Sequence, residues 1–121
     1  MAADGKTVVL VTGANAGIGW ETAKSLFQSA KPYHVLLGTR SLDKGEAAVA
    51  KLKEHVPETS STVELVQIDV ANDESITAAF EKVEAAHGRI DVLVNNSGAI
   101  LATLWLVSFC FSFFLFFFFF F

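Results

Sequence analysis

The stretch Thr7-Val8-Val9-Leu10-Val11-Thr12-Gly13-Ala14-Asn15-Ala16-Gly17-Ile18-Gly19 changes character twice. Residues 7–12 are β-branched and apolar, which predicts a short strand buried on both faces. Gly13, Gly17 and Gly19 then break the run. From Ile18 onward the apolar period is helical: Ala23, Leu26, Phe27 and Ala30 fall at i, i+3, i+4 and i+7. The spacing predicts a helix over 18–30, ended by Pro32. Strand, glycine-rich turn and helix in this order make a cradle for an anion. A phosphate needs backbone N–H groups at close range and the positive end of a helix dipole. Glycine allows that approach because it has no Cβ. A glycine-rich turn alone also fits an ordinary loop; the strand before it and the helix after it favour phosphate binding.

Outward from this unit the alternation repeats. Residues 34–37 (HVLL) read as a second strand closed by Gly38. Ser41 is the expected N-cap of a second helix with the apolar line Ala48, Leu52 and Val56, stopped by Pro57. Residues 63–68 read as a third strand. Asn72 is the expected cap of a third helix, with Asp73 and Glu74 at the positive end of its dipole. Ile76, Ala79, Phe80 and Val83 form its apolar line, and Gly88 its C-terminal stop. Residues 90–94 (IDVLV) read as a fourth strand, followed by Asn95-Asn96-Ser97-Gly98. The order β-α-β-α-β-α-β predicts an α/β fold with a parallel sheet and helical crossovers. The expected strand order, 3-2-1-4, leaves the fourth strand at an edge and part of its helix cover missing.

Composition divides the 121 residues into two parts. All 22 charged residues (9 Lys and Arg, 13 Asp and Glu) lie between Asp4 and Asp91, and ten of the 12 Phe lie in 109–121. Residues 1–98 read as one small partial domain of ordinary soluble composition. Residues 99–121 read as an uncharged hydrophobic tail. A net charge of −4 with no basic stripe argues against a nucleic-acid partner. The single Cys110 excludes an intramolecular disulfide. His34, His55 and His87 lie far apart in sequence without ligand spacing, so no metal site is expected and all three are read as polar surface positions. The start of the chain has no basic region followed by an apolar run. No signal peptide is therefore expected, and the expected compartment is cytoplasmic unless the tail overrides it.

The glycine pattern is T-G-x-x-x-G-I-G, not G-x-G-x-x-G. With Asp69-Val70 after the third strand and Asn95-Asn96-Ser97-Gly98 after the fourth, it resembles the short-chain dehydrogenase/reductase family, in particular its carbonyl-reductase-like members. The resemblance covers about residues 6–98, with Ser97 standing where the family has Ala in N-N-A-G. It implies a Rossmann-like, doubly wound sheet, here carried as far as the fourth strand. It also implies a nicotinamide dinucleotide as ligand, bound by Gly13, Asn15, Ala16, Gly17, Ile18 and Gly19, by Asp69 and Val70, and by Asn95, Ser97 and Gly98. Twenty positions after Gly19, where dinucleotide folds place an acid for the ribose 2′-OH, stand Thr39 and Arg40. An Arg there suits a 2′-phosphate, so NADP(H) is expected over NAD(H).

The resemblance further implies hydride transfer between this cofactor and a carbonyl or alcohol, using a Ser and a Tyr-x-x-x-Lys beyond the N-N-A-G position. Here that region is the tail. The only Tyr, Tyr33, is followed four residues on by Leu37, and no catalytic residue is assigned. The 23 residues 99–121 are long enough, as a helix, to cross a bilayer, which makes them a transmembrane candidate and the membrane a candidate partner. Six closing Phe without flanking Lys or Arg fit a selected span poorly. A T-rich, pyrimidine-only codon tract would encode the same Phe, Ser and Leu run, as expected of intron read-through soon after Gly98 or Leu104. Three functions are therefore carried forward: the cofactor-binding part of an oxidoreductase, catalytically incomplete as written; a tail-anchored nucleotide-binding module; and a non-catalytic interaction fragment. Oligomeric state is left open.

Overall fold

The computed structural model describes residues 5–98. Its elements are β1 (Thr7–Val11), α1 (Gly17–Phe27), β2 (Tyr33–Thr39), α2 (Leu42–His55), β3 (Thr62–Gln67), α3 (Asp73–His87) and β4 (Val92–Val94). The four strands make one sheet in the order β3-β2-β1-β4, with every pairing parallel. This is the expected Rossmann-like α/β topology through the fourth strand. The expectations for residues 99–121, both the membrane span and the read-through, lie outside the described residues. Among the described residues no helix is long and apolar enough to cross a membrane.

Period-two alternation along β1 and β2 builds two cores, one on each face of the sheet. Val9, Val11, Val35 and Leu37 pack with Trp20, Ala23 and Ala48 on the α1–α2 side. Val8, Leu10, Leu36 and Val66 pack with Ala79 and Val83 of α3 on the other. Trp20 also ties α1 to α2, because its indole N–H donates to Ala48 O at 3.3 Å.

Several boundaries differ from the sequence expectation. α1 stops at Phe27, well before Pro32, and Ala30 is exposed beyond it. Gln28 N–H and Ser29 N–H already satisfy Lys24 O and Leu26 O, so the chain has turned before the proline is reached. Gly38 does not close β2; the strand runs through it to Thr39. A Cβ at Gly38 would lie 3.0 Å from Val11 O, so glycine is needed there for close approach to β1, not for a turn. Val56 is the C-cap of α2 and not part of its apolar line. Ser41 is the N-cap of that helix but makes no side-chain capping bond.

α3 follows its local signals closely. Asn72 Oδ1 accepts from Glu74 N–H and Ser75 N–H at 2.9 and 3.2 Å. Gly88 ends the helix in the left-handed conformation at φ +69°. Its apolar line is only half used: Ala79 and Val83 are buried, while Ile76 and Phe80 are exposed, Phe80 by 58%. Val92 and Leu93 of β4 are exposed as well, as expected of a strand that is paired on one side only among the described residues. β4 begins at Val92, not at Ile90. Asp91 serves instead as a clamp: Val8 N–H donates to its Oδ2 at 2.7 Å, its own N–H donates to Val8 O at 2.9 Å, and Arg89 pairs with its Oδ1 at 3.1 Å.

The expectation for two histidines fails. His55 is exposed, but the side chains of His34 and His87 are only 12% and 6% accessible. They meet across Glu64 with ring centroids 4.5 Å apart. The topology brings the start of β2, the middle of β3 and the end of α3 together at the N-terminal edge of the sheet, which sequence spacing does not reveal. Burial, and then the neighbouring His87, lowers the pKa of His34 below the ordinary imidazole value.

Candidate functional site

Parallel register places the C-terminal ends of all four strands along one edge. Val11 pairs with Leu37 and Val94, and Thr39 pairs with Gln67. The glycine loop, Arg40, Asp69-Val70 and residues 95–98 therefore all leave the sheet on the same side. Strand order reverses between β1 and β4, so the crevice at this switch point is where an open α/β sheet holds its ligand.

The three glycines of the loop have three different roles. Gly13 turns the chain at φ +65°, and a Cβ on it would stand 3.1 Å from Ser97 Cα. Gly19 faces the same loop: a Cβ there would run into the Asn96 amide and lie 2.6 Å from Gly13 O. These two glycines let the loops after β1 and β4 touch. Gly17 adopts φ +59°, with nothing within 4 Å of where its Cβ would be. Its surroundings are open, which suits a ligand approaching the backbone.

The N-terminus of α1 is also free of competing groups. Its N-cap, Ala16, offers no capping side chain, and its first turn holds no acid. Ala16, Gly17 and Ile18 are exposed, Ile18 by 80%. The orphan N–H groups of this first turn and the positive dipole end suit an anion. α2 and α3, by contrast, carry Asp43 and Asp73 with Glu74 in their first turns.

The loop is held by polar contacts that the sequence reading did not single out. Thr12 Oγ1 accepts from Asn96 N–H at 3.1 Å and Ser97 N–H at 3.0 Å, and donates to Val94 O at 3.4 Å. Asn96 Nδ2 donates to Thr12 O and Gly13 O at 3.1 and 3.2 Å. Ala14 N–H donates to Gly38 O at 2.9 Å, and Thr39 Oγ1 donates to Asn15 Oδ1 at 3.2 Å. Asn15 is thus part of the scaffold that joins the loop to β2. Thr12 and Asn96 were visible within the quoted motifs. Their inward direction is a tertiary property, so the motif alone did not separate them from their neighbours.

Arg40 is exposed just beyond β2, and none of the ion pairs among the described residues involves it. Asp69 is partly buried; its Oδ1 accepts from Ala71 N–H at 3.0 Å, and its N–H donates to Ser75 Oγ at 2.9 Å. Val70 is exposed next to it. Asn95 and Gly98 are exposed and Ser97 is half-buried against the glycine loop. A groove between α1 and α2 opens at the loop and is lined by Asn15, Ala16, Gly17, Ile18 and Lys44. Lys44 is a cation that counting from the last glycine does not find.

The profile of the short chain dehydrogenase family matches residues 7–108. The chain is similar to the short-chain dehydrogenase/reductase tropE of Talaromyces stipitatus, 50% identical over 79% of this chain and 36% of that protein. Among solved structures it is similar to L-sorbose reductase from Gluconobacter frateurii complexed with NADPH and L-sorbose. That likeness has a TM-score of 0.67 and 33% identity over 78% of this chain and 34% of the other. A metagenomic short-chain oxidoreductase in complex with NADP gives a TM-score of 0.65 and 34% identity, over 77% of this chain and 39% of that one. The chain spans about a third of the length of the relatives it matches.

Proposed function

The chain belongs to the short chain dehydrogenase family, and from that premise we propose that residues 1–98 are the part of an oxidoreductase that binds NADP(H), set apart in composition from residues 99–121. The observation that carries the reading is the uncapped, acid-free N-terminus of α1 behind Gly17, whose φ is positive and whose Cβ position is open. That cradle fits a pyrophosphate. Gly13 and Gly19 keep the loop tight against residues 96–97, and Ala16, Gly17 and Ile18 present the helix end. Arg40, at the end of β2, supplies the fork for a 2′-phosphate. Asp69 and Val70 flank the adenine side, and Asn95, Ser97 and Gly98 border the crevice on the β4 side. That the similar L-sorbose reductase and the metagenomic oxidoreductase are described with NADPH and NADP supports this choice of cofactor over NAD(H).

When bound, the nicotinamide supplies or accepts a hydride. The described residues bind and orient the dinucleotide. Hydride exchange with a carbonyl or alcohol is proposed for a polypeptide that adds the Ser and Tyr-x-x-x-Lys of the family beyond residue 98. The binding role is tested by Gly17→Asp. The open Cβ position leaves room for the side chain, and Asp tolerates a left-handed backbone better than most residues. A carboxylate facing the pyrophosphate is expected to weaken NADPH binding by more than about tenfold, with the far-UV circular dichroism unchanged. Unaltered NADPH affinity, measured by calorimetry, would place the phosphates elsewhere.

A further inference from the structure

We propose that His34, Glu64 and His87 form a site for a divalent transition-metal ion, best suited to zinc, at the edge of the sheet opposite the glycine loop. Each residue comes from a different element: His34 from β2, Glu64 from β3 and His87 from the last position of α3. Their candidate ligand atoms all lie within 4.8 Å of one another. Glu64 Oε2 is 3.6 Å from His34 Nε2 and 3.0 Å from His87 Nε2. Ligand atoms about 2.0–2.2 Å from a tetrahedral zinc stand about 3.3 Å apart, between these two separations.

The hydrogen bonding around His34 is incomplete in a way that an ion would repair. His34 Nε2 is buried and without a hydrogen-bond partner, whereas His87 Nε2 already pairs with Glu64 Oε2 at 3.0 Å and would exchange that bond for the ion, its Nδ1 staying unpartnered. Buried polar atoms are seldom left so. His34 Nδ1 lies 2.6 Å from Thr62 Oγ1. With Nδ1–H donating to that hydroxyl, Nε2 carries a lone pair aimed toward the carboxylate, where two acceptors face each other. A cation between them satisfies both. A hydrogen bond from the other ring N–H, here to a hydroxyl, fixes the tautomer of a ligating imidazole as outer partners do in metal sites. Two imidazoles and one carboxylate are a zinc donor set that leaves a fourth position for water, and the side chain of Glu64 is 34% accessible. Lys82 Nζ sits 3.9 Å from the other oxygen, Oε1, and leaves Oε2 to the rings. The positive charges of Lys82 and of Lys6, which also acts on His34, hold the affinity below that of a purely anionic site. An ion here would bind β2, β3 and the end of α3 to one another, away from the dinucleotide crevice.

The test uses the untagged full chain, stripped of metal by chelator and titrated with Zn(II) by calorimetry and with Co(II) by visible absorption. The expected result is one ion per chain, with the intense Co(II) bands of four-coordination. His34→Gln, Glu64→Gln and His87→Gln should each weaken binding by about tenfold or more, and His55→Gln should leave it unchanged. No saturable binding would overturn the proposal, as would a weak six-coordinate Co(II) spectrum or binding indifferent to the His34 and His87 changes. Should a variant fail to fold, proton NMR of the unaltered chain with Co(II) decides. Paramagnetic shifts confined to the His34 and His87 rings support the site, and their absence contradicts it.

Discussion

Thr12 Oγ1 takes the N–H groups of Asn96 and Ser97 and donates to Val94 O, so one hydroxyl joins the loop after β1 to the loop after β4. Thr12→Val keeps the shape and removes this junction. Leaving the two partly buried N–H groups unpaired is expected to cost about 1–3 kcal/mol in urea unfolding, with weaker NADPH binding alongside. A variant as stable as the parent would mean that water replaces the hydroxyl and the junction is dispensable. At this scale the sequence was informative where chemistry follows from residue type and count. The three glycines marked the tight loop between β1 and α1, and Arg40 stood where an acid would otherwise be expected. It was uninformative where direction matters. Asn95 and Asn96 are adjacent and identical, yet it is Asn96 whose amide turns inward to Thr12 and Gly13.

Among the elements, α3 was the most legible because its limits are set locally. Asn72 caps it with its own side chain, and Gly88 ends it through a positive φ. α1 and β4 were less so, since their ends depend on contacts between segments. Asp91 reads as a strand residue in IDVLV but acts as the anchor that positions β4 beside β1. The Val8 N–H holds the Asp91 carboxyl below the usual carboxylate range, desolvation opposes it in part, and Arg89 adds to the lowering. Its folded pKa is thus below its unfolded value of about 3.9. The stabilisation is fully present above that value and is lost as the pH falls through the folded pKa. Thermal unfolding followed from pH 6 down to the acid limb should show a steeper loss for the parent than for Asp91→Ala. Identical slopes would contradict the clamp.

For the whole molecule, topology decides which apolar residues are core. Phe27 and Phe80 both sit on helical apolar lines, and the sequence treats them alike. Phe27 is buried under α1, whereas Phe80 is 58% exposed on the face of α3 that the described sheet does not cover. Phe27→Ala is therefore expected to cost about 3–5 kcal/mol, and Phe80→Lys no more than about 0.5 kcal/mol, both by denaturant titration. Comparable losses would mean that the α3 face is covered in solution. The same topology gathers the motif residues at one edge of the sheet, which strand order and register made predictable, and gathers His34, Glu64 and His87 at the other, which spacing did not. In the proposed function the edge that carries the glycine loop binds NADP(H), and Arg40 reads the 2′-phosphate. Equilibrium titration of the full chain and of Arg40→Asp with NADPH and NADH measures both. The parent is expected to prefer NADPH and Arg40→Asp to lose about ten- to a hundredfold of that affinity, the value of charge-assisted hydrogen bonds, with NADH binding retained. Equal binding of both cofactors by the parent, or an NADPH preference that survives in Arg40→Asp, would contradict the proposed function.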